Sequence, residues 1–154
     1  MSIVGPASPA KTAFIGALAR ELEAGGLKVA VLSWEIAAPL PDETKDTGRY
    51  RRAGASLAAL ASPGWLLLTY RFPDFISRPG LGQILPLLAP FADGVLVDGA
   101  ADGLPRIFLG PASGPDSPEA EVWAVVEDVS GHRPVPAEAV AKVAALLRAR
   151  WGAS

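Results

Sequence analysis

The sequence predicts an α/β protein, a mostly parallel β-sheet held between helices as a three-layer α/β/α sandwich. Two observations carry this expectation. Apolar runs of strand length alternate along the chain with segments of helical spacing. The first three elements read strand, helix, Gly-Gly, strand, a βαβ unit whose crossover requires parallel strands. With 154 residues, half of them apolar, the chain can bury one core, so a single domain over residues 1–154 is expected.

The elements follow in order. Ser2–Val4 (SIV) is a short buried strand running into Gly5. From Thr12 the spacing turns helical: Phe14, Ala17, Leu18, Ala19 and Leu22 recur three and four residues apart, and Gly25-Gly26 stops the helix. Residues 28–33 (KVAVLS) form the second strand. Residues 35–48 are polar and broken by proline and read as loop, with a short helix over residues 45–53 ending at Gly54. SLAAL (56–60) and WLLLTY (65–70) are two apolar runs joined by ASPG, a hairpin-like or crossover connection. RFPDFISRPG is loop, and GQILPLLAPF has helical spacing with Pro86 in its first or second turn. GVLVDG (94–99) is a near-continuous apolar strand ending in an acid, and RIFL and VWAVVED are further strands. Residues 136–151 close the chain as an amphipathic helix with arginines near its C-terminus, where the helix dipole favours them.

Composition excludes several classes of function. A net charge of −2 provides no broad basic field for nucleic acid. No cysteine is present, which removes thiolate chemistry and cysteine-based zinc sites and fits a reducing cytoplasm. The one histidine, His132, leaves little for a His-rich metal site or a His-dependent triad. The N-terminal residues lack the charged and apolar regions of a signal peptide, and the longest apolar runs are far too short to span a membrane. Sixteen glycines and fifteen prolines punctuate the apolar runs as turns rather than forming a disordered tract.

Residues 5–13, GPASPAKTA, have the length and ends of a phosphate-binding loop, G-x-x-x-x-G-K-[ST]. Such a loop turns successive backbone N–H groups toward an anion at a helix start. Gly5, Ser8, Pro9, Ala10, Lys11, Thr12 and Ala13 are its candidate nucleotide-binding residues. Lys11 places charge on the outer phosphates, and the Thr12 hydroxyl ligates Mg²⁺. Asp98 ends an apolar strand, where an acid can hold Mg²⁺ through water. A strand-to-helix turn with an ordinary lysine, and a turn-capping aspartate, are the simpler readings of the same residues. Ala10 stands where the motif has its second glycine, and Pro9 removes one N–H donor. The motif's glycine serves a positive φ or a close backbone approach to a phosphate, so Ala10→Gly is expected to tighten binding.

Taken with TKDTGRYRRAGASLAALASPGWLLLT, VLVDG, LPRIFL and VWAVVEDVSGHRPVP, the chain resembles the molybdopterin-guanine dinucleotide biosynthesis protein B (MobB) family over most of its length. The A-G-A segment and its distance from the loop are the specific part. The resemblance implies a P-loop NTPase-like fold that binds GTP with Mg²⁺; the altered loop and the lack of a convincing general base lead to an expectation of at most weak hydrolysis. It also implies an accessory role in molybdenum cofactor biosynthesis beside a molybdopterin nucleotidyltransferase (MobA-like) partner, as a cytoplasmic homodimer. Asp46 and Arg51 fall in the family's switch-like segment, Asp46 as a metal candidate that a helix-start acid favoured by the dipole explains equally well, and Arg51 as a phosphate or pterin contact. SWEIAAPL lacks the histidines the family carries after its second strand, and Ala101 stands where the family has lysine.

The chain contains no asparagine, so the N-K-x-D guanine-reading motif is excluded. Asp128 is a candidate acceptor for the guanine N1–H and N2–H₂, and an exposed strand-end acid explains it equally well. Arg49, Arg51 and Arg52 could meet phosphates or form a solvated helix face. Trp65 and Trp151 read as core or interface, and Trp34 as buried or as a stacking platform. A different class of function, a nucleotide-free adaptor that keeps the fold and binds a cofactor-synthesis or molybdoenzyme partner, fits the same sequence.

Overall fold

The computed structural model describes residues 1–6, 8–34, 46–70, 79–110, 121–127 and 135–152. In order, these form β1 (Ser2–Val4), α1 (Pro9–Ala24), β2 (Val29–Ser33), α2 (Asp46–Arg52), β3 (Leu57–Ser62), β4 (Trp65–Tyr70), α3 (Leu81–Leu88), β5 (Gly94–Asp98), β6 (Arg106–Leu109), β7 (Val122–Val126) and α4 (Ala137–Trp151). The chain divides into two compact units, Met1–Glu35 with Leu85–Ser154, and Ile36–Ile84. Helix α3 spans that division.

The first unit is built on a five-stranded sheet in the order β2-β5-β1-β6-β7, with every pairing parallel. Central β1 is only three residues long, yet it pairs with β5 on one side and β6 on the other. From β1 the chain passes through α1 to β2 on one side, and it later continues from β6 to β7 on the other. Ligands of open α/β sheets bind at the carboxyl ends of the strands where the winding reverses in this way.

Strand period decides the core. Ile3, Leu96 and Ile107 are fully buried and share one core with Phe14, Leu18 and Leu22 of α1 and Val143, Ala144 and Leu147 of α4. Each large side chain buried in this way stabilises the fold by roughly 1.5–3 kcal/mol. Arg148 of α4 holds the two helices together, donating to the Glu21 carbonyl and lying 3.1 Å from Glu21 Oε1. Ser2 and Val97 point the opposite way from Ile3 and Leu96 and are also fully buried. The centre of the sheet is therefore covered on both faces, as the predicted three-layer arrangement requires.

Helix α1 starts at Pro9, three residues before the predicted Thr12. Ser8 is its N-cap, with extended backbone and a side chain that accepts the Lys11 N–H, and Pro9 occupies the first turn. Both residues suit a helix start better than a loop, because the hydroxyl satisfies an orphan N–H and proline at this point loses none.

In the second unit, β3 and β4 form an antiparallel hairpin in register from Leu57 opposite Tyr70 to Ser62 opposite Trp65. This resolves the open choice between hairpin and crossover. Pro63-Gly64 makes the connection, with Gly64 at a φ of 77° that glycine adopts at little cost. Alternate residues place Leu57, Leu66, Leu68 and Tyr70 on one face and Leu60, Trp65 and Leu67 on the other. All seven are exposed. Among the described residues no helix is long and apolar enough to cross a membrane.

Candidate functional site: a strand-end acid and a helix-start lysine

Residues 5–8 connect β1 to α1 at the carboxyl end of the central strand. Gly5 is required there by a close approach. A Cβ at this position would lie 2.7 Å from the Leu109 carbonyl oxygen, so the chain leaves β1 pressed against the end of β6. Lys11 and Thr12 follow in the first turns of α1. Lys11 is buried and Thr12 exposed.

Asp98 ends β5 beside Ile3, on the same face of the sheet as Leu96, because side chains two apart in a strand project the same way. That face is the one α1 covers. Lys11 Nζ lies 2.8 Å from Asp98 Oδ1, with the two side chains only 10% and 19% exposed. Oδ1 is buried and receives no aligned hydrogen bond, so the lysine acts on it as a charge rather than as a directed donor. The backbone around Asp98 is fixed. Its carbonyl accepts the Trp34 N–H at 2.9 Å, and the Gly99 N–H donates to the Ile3 carbonyl at 3.0 Å. The Ser2 hydroxyl donates to the Gly99 carbonyl. Ser2 was not singled out from the sequence, where its one signal is a polar residue inside an apolar strand.

The structure thus brings together four of the predicted positions, Gly5, Ser8, Lys11 and Asp98. It corrects the expectation for Ala10. Ala10 is helical and its methyl is buried in the core, so the backbone there has no positive φ for a glycine to relieve. The expectation missed this because it placed the helix start after Ala10. Pro9 lacks an N–H, and the Lys11 N–H is held by the Ser8 side chain at 3.2 Å. Ala13 is exposed on α1.

Asp46 and Arg51 lie on α2 in the second unit. Asp46 is exposed and pairs with Arg49 at 3.3 Å, and Arg51 is half-buried. Asp128 and His132 fall outside the described residues. Of the tryptophans, Trp151 packs half-buried against the core, with its ring over Gly94, whereas Trp65 is 81% exposed. Trp34 is half-buried.

Among the described residues no group of three or more His, Asp or Glu side chains could hold a metal. One carboxylate and one hydroxyl suit a cation that keeps most of its waters and takes its other ligands from phosphate, as Mg²⁺ does. That donor set fits Mg²⁺ arriving with a phosphate and fits poorly an ion held by protein alone.

A parallel sheet wound outward from a central strand, a loop from that strand into a helix, and a helix-start lysine beside a strand-end acid define an α/β protein of the P-loop NTPase-like class. The family described as "Molybdopterin guanine dinucleotide synthesis protein B" (MobB) matches residues 1–128, and the chain belongs to it. Membership sets the chain among proteins of molybdenum cofactor biosynthesis. Among solved structures, a crystal structure of molybdopterin-guanine biosynthesis protein B is similar with a TM-score of 0.68 and 26% identity, covering 98% of this chain and 97% of that one. Bacillus subtilis MobB is similar at a TM-score of 0.62 and 21% identity, with 94% and 95% covered. A MobB homologue from Bacillus stearothermophilus matches at 0.64 and 19%, with 99% and 97% covered. No curated protein matches the chain at a significant level.

Proposed function

We propose that this chain binds GTP with Mg²⁺ at the loop of residues 5–13 and serves as an accessory protein in molybdopterin guanine dinucleotide synthesis. The buried Lys11–Asp98 pair at the start of α1 carries this reading. Lys11 would supply charge to the outer phosphates. The Thr12 hydroxyl and Asp98, the latter through water, would hold Mg²⁺, whose role when bound is to neutralise phosphate charge. Hydrolysis is at most slow in this reading, because Pro9 and the Ser8-capped Lys11 N–H reduce the donors that could face developing phosphate charge. Family membership supports a nucleotidyltransferase of the MobA type as the partner. The exposed apolar hairpin supports a homodimer, because an isolated two-stranded hairpin is marginal in water and apolar patches of this kind mark protein interfaces.

A nucleotide-free adaptor is the second reading. It is favoured by the proline at the first helical position and by the capping of the Lys11 N–H by Ser8, both of which reduce what the helix start offers a phosphate. Titration with labelled GTP, GDP and ATP in Mg²⁺, beside a Lys11→Ala control, separates the two. Micromolar GTP binding that the control loses is the expected result. No binding at millimolar nucleotide would leave the adaptor.

A further inference from the structure

We propose that Arg106 is a positioning residue: through Asp102 it latches residues 99–105 as a strap over β1, and the strap holds Asp98 in place. The latch lies outside the loop of residues 5–13, on the crossover from β5 to β6. Asp98 lies opposite Ile3 of β1, and Arg106 lies opposite Ser2. The two ends of the crossover are thus two strand spacings apart, about 10 Å, with β1 between them. Parallel strands are usually joined by a dozen or more residues, most often with a helix. Residues 99–105 contain no helix and pass directly across the sheet. They take the face opposite α1, the one that Ser2 and Val97 present. There the Ser2 hydroxyl donates to the Gly99 carbonyl, and Ala101 is only 2% exposed. Ser2 holds the far end as well, since its N–H donates to the Pro105 carbonyl at 2.9 Å.

Arg106 alternates with the core residue Ile107, so its side chain lies on the strap side of the sheet. It is only 9% exposed, yet its one ion pair among the described residues is Nη2 to Asp102 Oδ1 at 3.4 Å, and its Nε is buried without a partner. Asp102 itself is fully exposed. A buried cation resists losing its single counter-charge, because release would leave it buried and unpaired. The pair therefore draws the middle of the strap toward the sheet. Gly99 and Gly103 flank Asp102 with φ of 128° and 74°, so the backbone bends on both sides of the latch in a conformation glycine adopts at little cost. At its near end the strap is continuous with the site. The Gly99 N–H donates to the Ile3 carbonyl at 3.0 Å, and the Asp98 carbonyl accepts the Trp34 N–H at 2.9 Å. A strap held down at Asp102 keeps both bonds, and with them the strand end that carries the Asp98 side chain. A released strap loosens them.

Backbone amide hydrogen exchange on the full chain tests the latch without any ligand. Asp102→Asn removes the charge at an exposed position, where a substitution ordinarily costs little stability. The Gly99, Ser2 and Trp34 amides are expected to exchange on the order of tenfold faster in this variant, with the Leu147 amide of α4 unchanged. Asp102→Glu keeps the charge and should exchange as the unaltered chain does. Arg106→Gln should reproduce Asp102→Asn at the same amides, and Asp102→Asn decides alone if burial keeps the arginine variant from folding. Unchanged exchange at Gly99, Ser2 and Trp34 in Asp102→Asn overturns the inference. So does equal acceleration at Leu147, which would mark a general loss of stability. Asp102→Glu exchanging as fast as Asp102→Asn overturns the ionic latch. GTP titration is a separate readout, in which Asp102→Asn should bind about fivefold more weakly than the unaltered chain. Faster exchange with unchanged GTP affinity overturns the effect on the site. GTP binding by none of these proteins sinks the nucleotide reading and leaves the exchange rates to decide the latch.

Discussion

Leu96 and Val97 of β5 are wholly buried, whereas Leu66, Leu67 and Leu68 of β4 are 47 to 60% exposed. Both runs are short, apolar and bounded by turn residues. The difference lies in what each strand was given to pack against. β5 sits inside a five-stranded sheet, with α1 and α4 over the face that Leu96 presents and Val97 covered on the other. β4 has one neighbour, β3, and apolar side chains on both faces of the pair. Apolar character therefore states that a strand needs covering, and the fold decides whether this chain supplies the cover itself. In the first unit it does. In the second, both faces of the pair stay exposed, and the proposed homodimer would supply the cover.

The comparison is broken most sharply by truncating one large side chain in each region. Phe14→Ala, in the core shared by α1 and the sheet, is expected to cost roughly 3–5 kcal/mol in urea denaturation. Trp65→Ala at the hairpin should change the stability of the monomer by less than about 0.5 kcal/mol, and should instead lower the dimer fraction in analytical ultracentrifugation. A large loss of monomer stability from Trp65→Ala would show that the hairpin is covered within the chain.

Two glycines sharpen the same contrast at smaller scale. Gly5→Ala should cost roughly 1–3 kcal/mol because the new methyl meets the Leu109 carbonyl oxygen at 2.7 Å, a backbone atom that cannot step aside. Gly64→Ala meets open space, and its cost of about 1–2 kcal/mol comes from the positive φ alone. Thermal unfolding of the two variants separates crowding from conformation. If Gly5→Ala proved neutral, the close packing of β1 on β6 would be wrong.

Ala10→Gly is expected to have a small effect at the site itself. It should lower stability by about 1 kcal/mol, since the residue is helical, and leave GTP affinity no tighter. Tighter GTP binding in a titration would show that the loop leaves its helical form when it takes ligand, and would restore the simpler reading of the motif.

Much of the site was legible from residue types and their order. The Lys-Thr pair after a strand, the acid closing VLVD, and the Gly-Gly stop each follow from local chemistry, and the structure puts Lys11 and Asp98 in contact. The start of α1 was not read correctly, because Ser8 and Pro9 serve a loop motif and a helix cap equally well on paper. Nor could spacing reveal that Ser2 fixes the turn after Asp98, since that contact joins residues 97 apart in sequence.

By itself the sequence determined the alternation of strands and helices, the parallel βαβ start, and the presence of a phosphate-loop motif with a strand-end acid. These are properties of runs and short spacings, and a chain carries them wherever it folds. The tertiary structure alone decided that β5 lies between β1 and β2, so that an acid 87 residues from Lys11 becomes its neighbour at 2.8 Å. It also decided which apolar strands are covered. Strand order and cover are set by how elements distant in sequence bury one another's faces, and no local pattern encodes that choice.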